Sequence, residues 1–112
     1  MIKLFLIAGL GNPEEDYSNT RHNMGFDTIN KLAKQYKIEV NKNKFKGLYG
    51  IGNIENQKVV LLKPQTFMNL SGESIKEAID FYKIQKENII IIYDDMDVKP
   101  GTIKIRKIGG PG

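Results

Sequence analysis

The chain has 112 residues, an apolar fraction of 40% and a formal net charge of +4, values that fit one globular domain and do not fit a disordered chain. It has no cysteine and one histidine, which excludes a disulfide scaffold, a thiol nucleophile, cysteine-based metal centres and a multi-histidine metal site. No segment approaches the roughly 18 apolar residues of a transmembrane helix. The apolar start runs directly into Gly9, Gly11 and Pro13 and lacks a cleavage site, so the expected location is cytoplasmic, without membrane contact.

Residues 2–8 form an almost continuous apolar run of strand length, the pattern of a strand buried on both faces. Phe26, Ile29, Leu32, Ala33 and Tyr36 recur at helical spacing and predict an amphipathic helix over 23–36. Residues 37–46 read as a charged connector. Two strands follow, over 45–54 and 58–62, joined by the turn-prone Asn53-Ile54-Glu55-Asn56, with Pro64 ending the second. Ile75, Ala78, Ile79 and Tyr82 share one face of a second helix over 71–83, with Asn69 or Ser71 as N-cap. Residues 88–93 contain four consecutive isoleucines, again a strand buried on both faces. Residues 94–101 are a loop rich in acid, proline and glycine, and 102–108 alternate isoleucine with basic residues, as in a half-exposed strand. The order β-α-β-β-α-β-β predicts an α/β fold: a mixed, twisted sheet flanked by helices in three layers. Residues 1–112 are expected to form one α/β domain, and the final Gly109-Gly110-Pro111-Gly112 is expected to continue into further structure.

Three clusters lie beside ends of apolar strands, where crevices form in open α/β sheets. In Gly9-Leu10-Gly11-Asn12-Pro13-Glu14, Glu14 stands where a dinucleotide fingerprint has its third glycine, and Glu14-Glu15-Asp16 would oppose a pyrophosphate. A tight turn is the simpler reading, with Asn12 offering an amide at the crevice. In Thr20-Arg21-His22-Asn23, His22 is the one side chain whose ordinary pKa suits base chemistry near neutrality. A lone histidine at a helix start is otherwise a solvent-facing residue. In Tyr93-Asp94-Asp95-Met96-Asp97, the carboxylates could hold Mg²⁺, form a solvated turn, or orient His22. No G-x-S-x-G elbow is present, so a His–Asp pair activating water is the economical hydrolase hypothesis.

In the same order along the chain, Gly9-Leu10-Gly11-Asn12-Pro13, Tyr17 and Thr20-Arg21-His22-Asn23-Met24-Gly25 resemble the first signature of bacterial peptidyl-tRNA hydrolases. Lys63-Pro64-Gln65-Thr66-Phe67-Met68-Asn69-Leu70-Ser71-Gly72 resembles the second, and Tyr93-Asp94-Asp95-Met96-Asp97 with Pro100-Gly101 the acidic loop. Gly109-Gly110-Pro111-Gly112 looks like the start of that family's glycine-rich segment. The resemblance implies hydrolysis of the ester between a peptide and the terminal ribose of a tRNA, without metal or cofactor. It makes His22 the general base and Asp94 its orienting partner. Asn12 and Asn69 would line the peptide and ester site, Tyr17 and Met68 its walls, with Phe67 nearby. Arg106 falls where the family has a residue gripping tRNA phosphate. The family usually has glycine in place of Glu14.

The family's glycine-rich segment continues into a His-Asn-Gly motif whose Asn helps position the catalytic water, so the 112 residues alone are expected to be poorly active. The implied partner is peptidyl-tRNA, with no obligate protein partner and a monomeric full-length enzyme. The rival readings are a Mg²⁺-dependent phosphohydrolase using Asp94, Asp95 and Asp97, a nucleotide-binding domain using residues 9–14, and a non-catalytic RNA-binding module.

Overall fold

A computed structural model of the chain describes residues 3–11, 24–65, 71–94 and 103–108, with residues 94 and 103–108 described by their backbone path alone. The elements in chain order are β1 (Leu4–Gly9), α1 (Met24–Tyr36), β2 (Lys42–Lys44), β3 (Gly47–Ile54), β4 (Gln57–Pro64), α2 (Ser71–Tyr82), a 3-10 turn (Lys86–Asn88), β5 (Ile89–Asp94) and β6 (Ile103–Ile108). The six strands form one mixed sheet in the order β2-β3-β4-β1-β5-β6. β1 is parallel to both β4 and β5, while β2–β3, β3–β4 and β5–β6 pair antiparallel.

Strand alternation sends successive side chains to opposite faces, and here both faces are covered. Leu6 and Ala8 of β1, Val60 and Leu62 of β4 and Ile89 of β5 pack on one face against Ile75 and Ala78 of α2. On the other face, Phe5, Ile7, Val59 and Leu61 pack with Ile29, Leu32, Ala33 and Tyr36 of α1. The expected three-layer α/β architecture is therefore present. No helix among the described residues is long and apolar enough to cross a membrane.

Both helices end alike. Lys37 and Lys83 adopt left-handed dihedrals, with φ of 56° and 54°. The amides of Ile38 and Ile84, one residue further, donate to Ala33 O at 2.9 Å and Ile79 O at 3.1 Å. Ile38 and Ile84 are buried. This is the Schellman stop, with lysine in the position that usually holds glycine.

Several local features differ from the sequence pattern. Residues 42–44, read as connector, form the edge strand β2, and all three are exposed. Lys-Asn-Lys has no apolar alternation to announce a strand; its order comes from the ladder with β3, and lysines suit a sheet edge. The expected strand from residue 45 begins instead at Gly47, because Phe45 and Lys46 make a two-residue turn with φ of 58° and 53°. β4 extends to Pro64, paired with Gly47 at the end of the ladder, where a missing amide is tolerated. The 3-10 turn has no counterpart in the sequence reading. In β5, Ile89 and Ile92 are buried but Ile90 and Ile91 only half-buried, so this strand is less covered than its composition predicts.

Leu61 has no exposed surface and sits in the α1-side cluster. Leu61→Ala is expected to cost about 2–5 kcal/mol, as for a fully buried leucine. Urea unfolding with an unchanged m-value measures it, and a loss below about 1 kcal/mol would contradict the two-faced burial of β4.

Candidate active site

Because β1 runs parallel to β4 and β5, the carboxyl ends of all three strands lie at one end of the sheet. The register aligns Ala8 with Leu62 of β4, and Gly9 with Ile92 of β5. Each end leads into one of the motif segments quoted above. β1 runs through Gly11 into residues 12–23, β4 through Gln65 into 66–70, and β5 closes on Asp94 itself. Asn12, Tyr17, His22, Phe67, Met68 and Asn69 lie outside the described residues, as do Glu14, Asp95 and Asp97. Asp94 pairs with Ile103 at the end of the β5–β6 ladder, and Arg106 pairs with Ile91 within it; only their backbone is described.

The described residues that bound these segments are held closely. Leu10 N–H donates to Ile92 O at 2.9 Å, tying the chain just past β1 to β5. The first turn of α1 lies against the same spot. A Cβ on Gly25 would stand 2.3 Å from Leu10 O, 2.5 Å from Leu10 N and 2.7 Å from Ile92 O. A Cβ on Gly9 would stand 2.2 Å from Gly25 O. Two glycines thus let strand and helix backbones touch, three residues beyond His22 in the chain. A dinucleotide fingerprint achieves similar close packing with its third glycine; here the glycine lies on the helix itself. Thr28 Oγ1 donates to Met24 O at 2.8 Å and closes the first turn.

On the β4 side, Lys63 Nζ donates to Asn30 Oδ1 of α1 at 2.8 Å. Partial burial pushes the Lys63 ammonium below its ordinary pKa, and nearby Asp27 opposes that shift. Ser71 opens α2 with its Oγ buried and without a partner among the described residues, so the expected cap at Ser71 is not seen there, and Asn69 lies outside. The sequence pattern alone assigns no role to Gly25 or Lys63, although both stand inside the quoted motifs. A glycine in the first turn of an otherwise good helix was the available signal for Gly25.

The family model described as Peptidyl-tRNA hydrolase matches residues 6–112. The chain belongs to the peptidyl-tRNA hydrolase family. A peptidyl-tRNA hydrolase of Clostridium novyi (strain NT) is 60% identical over 109 residues, covering 97% of this chain and 58% of that protein. One from Clostridium beijerinckii is 54% identical, again over 97% of this chain and 57% of the relative. The crystal structure of peptidyl-tRNA hydrolase from Acinetobacter baumannii superposes with a TM-score of 0.80 at 46% identity, over 90% of this chain and 52% of that one. The chain thus spans a little over half the length of the peptidyl-tRNA hydrolases it matches. Membership of this family does not favour the nucleotide-binding or Mg²⁺-dependent readings.

The contact between Gly9 and Gly25 makes a specific demand. Gly25→Ala is expected to lose about 1–3 kcal/mol by overpacking backbone against backbone. Gly72, in the first turn of α2, has nothing among the described residues within 4 Å of an added Cβ, and Gly72→Ala is expected to gain roughly 0.5–1 kcal/mol from helix propensity. Urea titrations of both variants measure the pair; equal responses would contradict the close helix–strand contact.

Proposed function

We propose that this chain carries the acid–base machinery for hydrolysing the ester that joins a peptide to the terminal ribose of tRNA. The observation that supports this most is topological: the three parallel strands finish at one end of the sheet, and each leads into one of the family's signature segments. In this reading His22 takes a proton from water as the water oxygen attacks the ester carbonyl carbon. Asp94 orients the imidazole and stabilises the imidazolium that forms. The carbonyl oxygen becomes an oxyanion and accepts hydrogen bonds from neutral amides, the role given to Asn12 and Asn69. Collapse breaks the bond to the ribose oxygen, which takes the proton back from His22, leaving a free peptide and a free tRNA. Tyr17, Phe67 and Met68 shape the peptide side. Neutral asparagines hold a peptide backbone without drawing phosphate into the cleft.

The substrate's bulk is polyanionic, and the chain's net charge of +4 is compatible with it. Arg106 is the proposed phosphate contact. Residues 1–112 are proposed as the N-terminal portion of one catalytic domain, in a protein that acts in the cytoplasm as a monomer without cofactor.

The assay uses the chain extended with the remaining length of the Clostridium novyi relative. His22→Ala is expected to lower kcat by at least about 100-fold with KM little changed. Near-normal turnover would contradict the base assignment. Arg106→Ala is expected to raise KM for peptidyl-tRNA and to flatten its salt dependence by about one phosphate contact. A short ester without the tRNA body is expected to be cleaved as before; equal losses on both substrates would indicate a folding defect.

A further inference from the structure

We propose that the tip of the β2–β3 hairpin, Phe45–Lys46, is a positioning element for the segment between β4 and α2 that carries Phe67, Met68 and Asn69. Two successive carbonyls of this one turn take a donor from each side of that segment. On the entry side, Gln65 N–H donates to Lys46 O at 2.9 Å. On the exit side, the buried Ser74 Oγ donates to Phe45 O at 2.5 Å. The Lys46 ammonium adds a second hold on the exit side, 2.7 Å from Glu73 Oε1 and 3.6 Å from Glu77 Oε2. The tip therefore fixes the span between Gln65 and the first turn of α2, and with it the two anchors of the intervening residues.

The composition of the turn agrees with a role beyond chain reversal. Both residues have left-handed dihedrals, which cost a non-glycine residue on the order of 1 kcal/mol each. A hairpin that only reverses direction uses Asn-Gly or a similar pair. The other two-residue turn of the sheet, Glu55–Asn56, has the same left-handed dihedrals but is exposed and has Asn in its second position. At the tip, by contrast, Phe45 is only 4% exposed. Its ring lies 5.0 Å from that of Tyr49, 5.4 Å from Phe81 and 5.6 Å from Tyr82, centre to centre. Lys44 Nζ sits 3.7 Å from the centre of the Phe81 ring. The aromatic packing holds the strained turn in place, and the strained turn aims its carbonyls. The exposed Lys46 pair contributes little, so the hold on the first turn of α2 rests mainly on the buried Ser74 bond to Phe45 O.

The kinetic arm of the test rests on the proposed role of Asn69; the spectroscopic arm does not. The variants are Ser74→Ala, which removes the buried donor to Phe45 O, and Lys46→Gly, which relaxes the dihedral and removes the ammonium. The control, Lys76→Ala, breaks an exposed ion pair to Asp80 at 2.8 Å on the same helix and removes none of the bonds made to the tip. In the extended chain, both tip variants are expected to move the Asn69 side-chain amide resonances, and the control to leave them in place. In the extended chain, assayed well below every variant's melting temperature, both tip variants are expected to lower kcat about tenfold with KM for peptidyl-tRNA unchanged. Unmoved Asn69 resonances with a lowered melting temperature would overturn the proposal and leave the tip an ordinary stabilising contact. If the unsubstituted extended chain does not cleave peptidyl-tRNA, the functional reading fails, and the resonances still decide the role of the tip.

Discussion

β1 lies inside the sheet and runs parallel to both of its neighbours, β4 and β5. Parallel neighbours cannot be joined by tight turns, so the chain must leave the sheet and cross one of its faces between them. After β1 it crosses with α1 on one face; after β4 it crosses with α2 on the other. Both faces of β1 are covered as a result, and apolar residues at successive positions are what that burial requires. The same arrangement gathers three carboxyl ends at one end of the sheet. Every residue given a role in the ester chemistry either follows one of those ends in the chain or, like Asp94, terminates a strand there.

Building that end has local costs. Gly25 gives up about 1 kcal/mol of helix propensity relative to alanine, and in return the backbones of α1 and β1 come into contact. Phe45 and Lys46 occupy left-handed dihedrals. Lys63 loses part of its hydration and regains a hydrogen bond to Asn30. The two apolar clusters offset these terms, with Leu6, Val60, Leu61, Leu62 and Ile29 all without exposed surface. Sequences that hold unfavourable local conformations next to one end of a sheet commonly do so where position matters more than local stability.

The parts of the fold that rest on burial were legible from residue pattern. The two-faced apolar run of β1, the one-faced periodicity of α1 and α2, and the break at Pro64 all carry a hydrophobic signature. The parts that rest on hydrogen bonding alone were not. Lys42, Asn43 and Lys44 form a strand because β3 offers a ladder, and no side-chain pattern reports that. An aromatic residue beside a β-rich run favours strand at Phe45, whereas its buried ring is held in a turn by nearby Tyr49 of β3 and by Phe81 and Tyr82 of α2, far along the chain. For the site, the motif segments were legible because each abuts a strand end. The helix–strand contact through Gly25 and the bracing of Gln65 and Ser74 were not, since both depend on backbone proximity that spacing does not encode.

In the proposed mechanism the segment after β1 meets the end of β5, so that Asp94 stands beside His22. His22 is the only histidine in the chain, so its imidazole Hε1 resonance is assigned without ambiguity. Titrating that resonance in the unsubstituted chain and in Asp94→Asn tests the claim without relying on turnover. A carboxylate beside the ring favours the imidazolium, so removing its charge is expected to lower the His22 pKa by about one unit. An identical titration curve in the two proteins would contradict the pairing and the mechanism built on it.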